Sequence, residues 1–189
     1  MGMVGILLAA GRGRRFDPSG ARNKLLEPLP GGEAVVVASA RHLLAALGRV
    51  VAVVRPGDEA VATALRGAGC EVTYCADADS GMGASLAHAV AQARGASGWL
   101  LALGDMPHVR VATMRLLAGA IEAGAGIAAP LHLERRGNPV AFGRLHLPAL
   151  LALRGEQGAR ALLTRYPVHE VRVDDPGVLQ DVDTPADLN

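Results

Sequence analysis

Aromatic residues are scarce in this 189-residue chain: two Phe, two Tyr and one Trp, 3% in all. The core must therefore be filled by small aliphatic side chains. Half of the sequence is hydrophobic, most of it Ala, Leu and Val. That composition favours helices laid on a sheet, with Val in the strands and Ala and Leu on the helix faces. An excess of one charge is also missing. The formal net charge is +1, and no block of like charge offers a surface for nucleic acid or a membrane. Cysteine is limited to Cys70 and Cys75. Two are too few for a disulfide framework, and their spacing, with no further Cys, argues against zinc. A reducing cytoplasm is the expected location. Long apolar runs are absent as well. Residues 3–10 are apolar but short and lead into a glycine loop, which reads as a buried strand and not as a signal peptide or membrane span. The length suits one domain over residues 1–189.

What is present is alternation. Apolar runs at residues 4–9, 50–54, 71–75, 99–103 and 126–129 read as strands. Helical stretches separate them at residues 33–47, 58–66, 84–94 and 111–123. Strands that are apolar throughout, joined by helices, indicate a mostly parallel sheet covered on both faces. With right-handed crossovers this becomes a Rossmann-like, doubly wound α/β sheet. Beyond Pro130, residues 131–144 read as two extended segments around Arg135-Arg136-Gly137-Asn138. Short helices are expected at 148–153 and 158–166, and a strand at 168–173.

The exception to the even charge distribution is Arg12, Arg14, Arg15, Arg22 and Lys24, gathered in the loop at residues 11–24 after the first strand. Ligands of open parallel sheets bind beyond the carboxyl ends of strands. Gly11 and Gly13 let backbone N–H groups approach an anion, and the cations match the charge of a triphosphate. The competing reading is a solvated basic loop. Asp105 follows the strand at 99–103, in place to hold Mg²⁺ together with phosphate oxygens or, structurally, to cap the next helix. Asp181 and Asp183 bracket Val182 and point the same way if extended, so one of them could be a second metal ligand. Thr184-Pro185 also reads as a helix start. Gly81-Met82-Gly83-Ala84-Ser85 could read a nucleobase edge through Gly81 and Ser85, or be an ordinary glycine turn. The six histidines show no ligand spacing.

In order along the chain, the segments Leu8-Ala9-Ala10-Gly11-x3-Arg15, Lys24-Leu25-Leu26, Gly81-Met82-Gly83-Ala84-Ser85-Leu86, Leu103-Gly104-Asp105-Met106-Pro107, Gly137-Asn138-Pro139-Val140-Ala141-Phe142, Gly158-Ala159-Arg160 and Asp181-Val182-Asp183-Thr184-Pro185-Ala186-Asp187 resemble the MobA-like nucleotidyltransferases. The nearest branch is the molybdenum cofactor cytidylyltransferases. The resemblance implies a fold of the nucleotide-diphospho-sugar transferase type. It implies a nucleotide site of Leu8, Ala9, Ala10, Gly11, Arg12, Gly13, Lys24, Gly81 and Ser85, catalytic roles for Arg15, Lys24 and Asp105, and Mg²⁺ on Asp105 and Asp183. A phosphate of the acceptor, molybdopterin, would attack the α-phosphorus in line and expel pyrophosphate. Residues 137–140 and 155–160 would meet that acceptor. Ala9-Ala10 favours CTP over GTP. A molybdoenzyme or one of its maturation proteins is the implied protein partner. Two departures stand out. Asp17 occupies a place where the family has Gly, with residues 18–23 lengthening the loop, and Asn138 stands where His is common.

Three other readings compete. One is nucleotidyl transfer to a sugar or isoprenoid phosphate. Another is an NAD(P)-dependent reductase, and the last is a nucleotide-binding protein without catalysis. A dinucleotide fingerprint would need a third glycine, but Phe16 stands at that place, and Walker A spacing is absent. Arg55, not an acid, follows the second strand, although an arginine there suits a 2′-phosphate.

Overall fold

Among the residues described by the computed structural model (2–13, 15–17, 19, 21–156 and 158–188), alternation of strand and helix holds up to residue 132. Arg14, Pro18 and Gly20 of the basic loop, and Gln157 of the segment 155–160, lie outside the described residues. The elements are β1 (Val4–Leu8), α1 (Val35–Leu47), β2 (Val50–Val54), α2 (Glu59–Ala68), β3 (Glu71–Tyr74), α3 (Met82–Gln92), β4 (Gly98–Leu103), α4 (Val111–Glu122) and β5 (Ile127–His132). They continue with β6 (Arg135–Arg136), β7 (Val140–Gly143), α5 (Leu147–Leu151), α6 (Arg160–Arg165) and β8 (His169–Arg172).

The strands form one sheet in the order β3-β2-β1-β4-β7-β5-β6, and β3, β2, β1 and β4 run parallel. β7 is antiparallel to both β4 and β5, and β8 pairs parallel with β5. The strand residues divide by parity. Leu7, Ala52, Leu100 and Ala102 pack with α1, α2 and α4, whereas Ile6, Val51, Val53, Trp99 and Leu101 pack with α3, α5 and α6. Both faces are dry, which is why these strands are apolar without alternation. The scarce aromatics are used centrally: Trp99 and Phe142 are fully buried and sit opposite each other across β4 and β7. Gly5 is required by close packing, since a Cβ there would lie 2.7 Å from Leu43 Cγ.

In the second half the short helices α5 and α6 and the strand β8 fall close to where the sequence puts them, but the hairpin does not. The hairpin after Pro130 turns at Leu133-Glu134, with φ of 47° and 59°, and not around residues 135–138. β5 therefore extends to His132, past the expected end at residue 129. Gly137-Asn138 looks like a turn signal but serves close packing. A Cβ on Gly137 would lie 2.2 Å from the Val178 carbonyl oxygen, and Asn138 N–H donates to that oxygen at 2.9 Å. β7 then inserts antiparallel between β4 and β5, a pairing that no local pattern announces. No helix among the described residues is long and apolar enough to cross a membrane.

Candidate active site

The sheet order reverses between β1 and β4. The connections after β1 and β2 lead outward one way, and β4 lies on β1's other side. That switch point opens a crevice at the strand ends. An open cleft of about 570 Å³ fills it, and Leu8 and Leu103, which pair in register, lie at its floor. All twelve residues expected for nucleotide, catalysis or metal line this cleft: Leu8, Ala9, Ala10, Gly11, Arg12, Gly13, Arg15, Lys24, Gly81, Ser85, Asp105 and Asp183.

Local chemistry holds the loop in shape. Ala9 N–H donates to Val53 O at 3.0 Å, and Arg55 donates through Nη2 to Ala10 O at 3.0 Å. Arg55 is thus turned beneath the loop. Gly13 has φ of 58°, and its carbonyl accepts from Phe16 N at 2.9 Å and Asp17 N at 3.2 Å. That turn drops Phe16 into a small cluster with Val35 and Val182. Among the described residues, the N–H groups of Ala10, Gly11, Arg12 and Gly13 have no hydrogen-bond acceptor. These are the donors an anion would meet. Asp17, the departure from the family pattern, organises the lengthened loop. Its carboxylate accepts from Ser19 Oγ at 2.6 Å, Arg22 N at 2.8 Å and Ser19 N at 2.9 Å, and these bonds hold its pKa below the usual carboxylate range.

Lys24 begins a 3₁₀ turn capped by Asn23, whose Oδ1 accepts from Leu25 N at 3.1 Å. The turn aims the buried lysine inward. Its Nζ lies 2.6 Å from Asp105 Oδ2 and 3.3 Å from Asp183 Oδ1. Arg15 pairs with the other Asp183 oxygen at 2.5 Å. The tail reaches Asp105 through its backbone, with Val182 N donating to Asp105 O at 2.8 Å. Asp187 locks it there: Oδ2 accepts from Thr184 N at 2.7 Å, Thr184 Oγ1 at 2.8 Å and Asp183 N at 3.1 Å. Residues 185–188 do start a helical turn, a 3₁₀ one, as Thr184-Pro185 suggested.

Asp105, Asp181 and Asp183 each offer an oxygen within 4.8 Å of the others. Partial desolvation of Asp181, with the charges of Asp183 and Asp105, holds its carboxyl above the usual range. Three hard oxygen donors converging beside a loop of unpaired N–H groups fit a divalent cation such as Mg²⁺ or Mn²⁺.

Sequence reasoning missed Asp79, which reaches across the cleft to Arg12 with Oδ1 2.8 Å from Nε. The only signal for Asp79 is its place just before the Gly81 motif. Gly81 itself, with φ of 126°, packs directly against Gly155, and Gly83 N donates to Gly155 O at 2.8 Å. The segment 155–160 is thereby brought to the cleft at Glu156. Residues 137–140 are not: Asn138 and Pro139 face a small interior gap with Ser39 and Met106.

The sequence profile of the MobA-like NTP transferase domain matches residues 5–171. Purine catabolism protein PucB of Bacillus subtilis is 29% identical over 201 residues, covering 99% of this chain and 94% of that protein. Nicotine blue oxidoreductase of Paenarthrobacter nicotinovorans is 32% identical over 191 residues, covering 96% and 92%. Among solved structures, Rv0371c of Mycobacterium tuberculosis superposes with a TM-score of 0.84 at 30% identity, covering 99% of this chain and 95% of that one. A second structure of Rv0371c, in complex with manganese, has a TM-score of 0.79. Mth528, a nucleotidyl transferase from Methanothermobacter, reaches 0.82 at 27% identity, covering 98% and 93%.

Proposed function

Because the chain belongs to the MobA-like NTP transferase family, we propose that residues 1–189 form one nucleotidyltransferase domain that moves CMP from CTP onto a phosphate of molybdopterin and releases pyrophosphate. The observation that carries this reading is the convergence of Lys24, Asp105 and Asp183 below an amide-lined glycine loop. In this reading the free N–H groups of residues 10–13, with Arg15 and Lys24, grip the triphosphate and neutralise the charge that accumulates on the departing pyrophosphate. An oxygen of the acceptor phosphate bonds to the α-phosphorus as the bond to the bridging oxygen breaks. Asp105 and Asp183 would hold a divalent ion, which supplies Lewis-acid charge at the phosphate oxygens; the manganese complex of Rv0371c supports such an ion here. Gly81 and Ser85, at the start of α3, face the base, and Ala9-Ala10 favours CTP. The expected site of action is the cytoplasm, with a molybdoenzyme or one of its maturation proteins receiving the product.

The test is metal-dependent pyrophosphate release, measured with each of the four NTPs against molybdopterin, sugar phosphates and isoprenoid phosphates. Release with CTP and molybdopterin is expected. Release only with another acceptor moves the assignment within the class, and no release with any pair overturns it. A second reading, an oxidoreductase, is favoured by one relative's name, nicotine blue oxidoreductase. Against it, among the described residues the β1 loop does not open into a helix. A short 3₁₀ turn at Lys24–Leu26 is the only helical element described between β1 and α1, so no described helix N-terminus faces a pyrophosphate there. Titration with NADPH, followed by CTP with Mg²⁺, separates the two.

A further inference from the structure

Lys24 stands on two of the three carboxylates that could hold a divalent ion. Its Nζ is 2.6 Å from Asp105 Oδ2 and 3.3 Å from Asp183 Oδ1, and the side chain is 11% exposed. Arg15, the other cation on Asp183, has an 80% exposed side chain and is a far weaker competitor because water screens it. A metal bound to these oxygens at about 2.1 Å would leave two cations within roughly 4 Å of each other, a strongly repulsive arrangement in a half-buried cleft. The ion and the ammonium therefore compete for the negative charge of these carboxylates. Lys24 does have another place to go. Its stem runs beside the phosphate loop: a Cβ on Gly13 would lie 3.5 Å from Lys24 Cγ and 3.8 Å from Cδ. The stem thus lies against the loop whose N–H groups at residues 10–13 are unpaired, where a bound triphosphate would offer the ammonium a second set of oxygens.

We propose that Lys24 is a built-in counter-ion of the Asp105–Asp181–Asp183 cluster, which yields these carboxylates to a divalent cation as its ammonium shifts to the triphosphate. The inference rests on the nucleotidyltransferase reading. One side chain then couples two ligands. The nucleotide draws Lys24 off the carboxylates and so raises metal affinity, and linkage makes the metal raise nucleotide affinity by the same factor.

The experiment is Mn²⁺ binding to the whole chain, followed by the EPR signal of free Mn²⁺ and by thermal shift, with and without a non-hydrolysable CTP analogue. Wild type, Lys24→Met and Lys24→Gln are compared. Without nucleotide, both variants should bind Mn²⁺ about tenfold or more tightly than wild type, and Mn²⁺ should raise their melting temperatures by more. The analogue should tighten Mn²⁺ binding more in wild type than in either variant. If Lys24→Met unfolds, recovery of its far-UV circular dichroism on adding Mn²⁺ supports the same conclusion. Variants that bind Mn²⁺ no more tightly than wild type overturn the proposal. If wild type still releases pyrophosphate in that case, the nucleotidyltransferase reading survives alone. A wild type that neither binds Mn²⁺ nor releases pyrophosphate sinks both.

Discussion

Asp175 offers the most demanding test of how this fold positions its site. It is 2% exposed and sits between β8 and the tail that carries Asp181 and Asp183. Its carboxylate accepts from Thr113 Oγ1 at 2.6 Å, Arg110 N at 2.9 Å and Gly177 N at 3.1 Å. Arg110 is the residue before α4, so Asp175 caps that helix from 65 residues away in sequence. Replacing Asp175 with Ala strands three donors, two of them on buried residues, and charge-assisted bonds of this kind are worth about 1.5–3 kcal/mol each before non-additivity. Removing a cap alone costs about 1 kcal/mol. Because the three bonds share one carboxylate and the site can relax, the net expectation is about 3–5 kcal/mol. At roughly 2–4 °C per kcal/mol for a chain of this size, the melting temperature should fall by about 6–20 °C. Urea titration should show a lower midpoint at an unchanged slope. Asp175→Asn keeps two acceptor lone pairs and should lose less than half as much. Since the tail follows directly, Asp175→Ala should also weaken Mn²⁺ binding at temperatures where it is fully folded. A loss below about 1 kcal/mol would refute the assignment of Asp175 as the buried anchor of α4 and the tail.

Other outcomes follow from the same geometry. Asp105→Asn should leave the melting temperature within a few degrees of wild type and lower kcat for pyrophosphate release by about 10²–10³-fold, the usual cost of removing one charge-stabilising group; an effect confined to KM would contradict that role. Gly81→Ala places a Cβ 2.4 Å from the Gly155 carbonyl carbon at φ of 126°, so it should shift the loop bearing Glu156 and raise KM for the nucleotide, read by steady-state kinetics. Burial pushes the Cys70 thiol up to about 11, so mass-mapped alkylation of Cys70 in the folded protein should be slow at pH 8 and accelerate toward pH 11. Burial lowers the pKa of His146, which packs edge-on to Phe142 and Tyr166 at 6.0 and 4.8 Å. The unfolded chain then takes up the proton first, so stability should be lost as pH falls below about 6.5, and His146→Gln should flatten that slope in urea titrations between pH 7 and 5.

How much of this was legible in the sequence depends on whether a feature is local. The apolar runs of β1, β2 and β4 and the helices between them are patterned by their own residues, so their places could be read within a few positions. The cleft could be read because Gly11, Gly13, Arg15 and Lys24 fall directly after the first strand, where parallel sheets bind ligands. The hairpin at Leu133-Glu134 could not, because two non-glycine residues at positive φ carry no turn signature, while Gly137-Asn138 carries one and serves packing against Val178 instead. Asp175 and Asp79 were invisible for the converse reason: an isolated aspartate has no pattern, and its meaning lies wholly in the partners that the fold brings to it. The same distinction applies to Lys24. Its charge beside a glycine loop is readable as a phosphate contact. Its competition for the oxygens of Asp105 and Asp183, 81 and 159 residues away, exists only once the tail has closed over the strand ends. Local pattern thus placed the cleft, and long-range packing brought Lys24 against the carboxylates of Asp105 and Asp183.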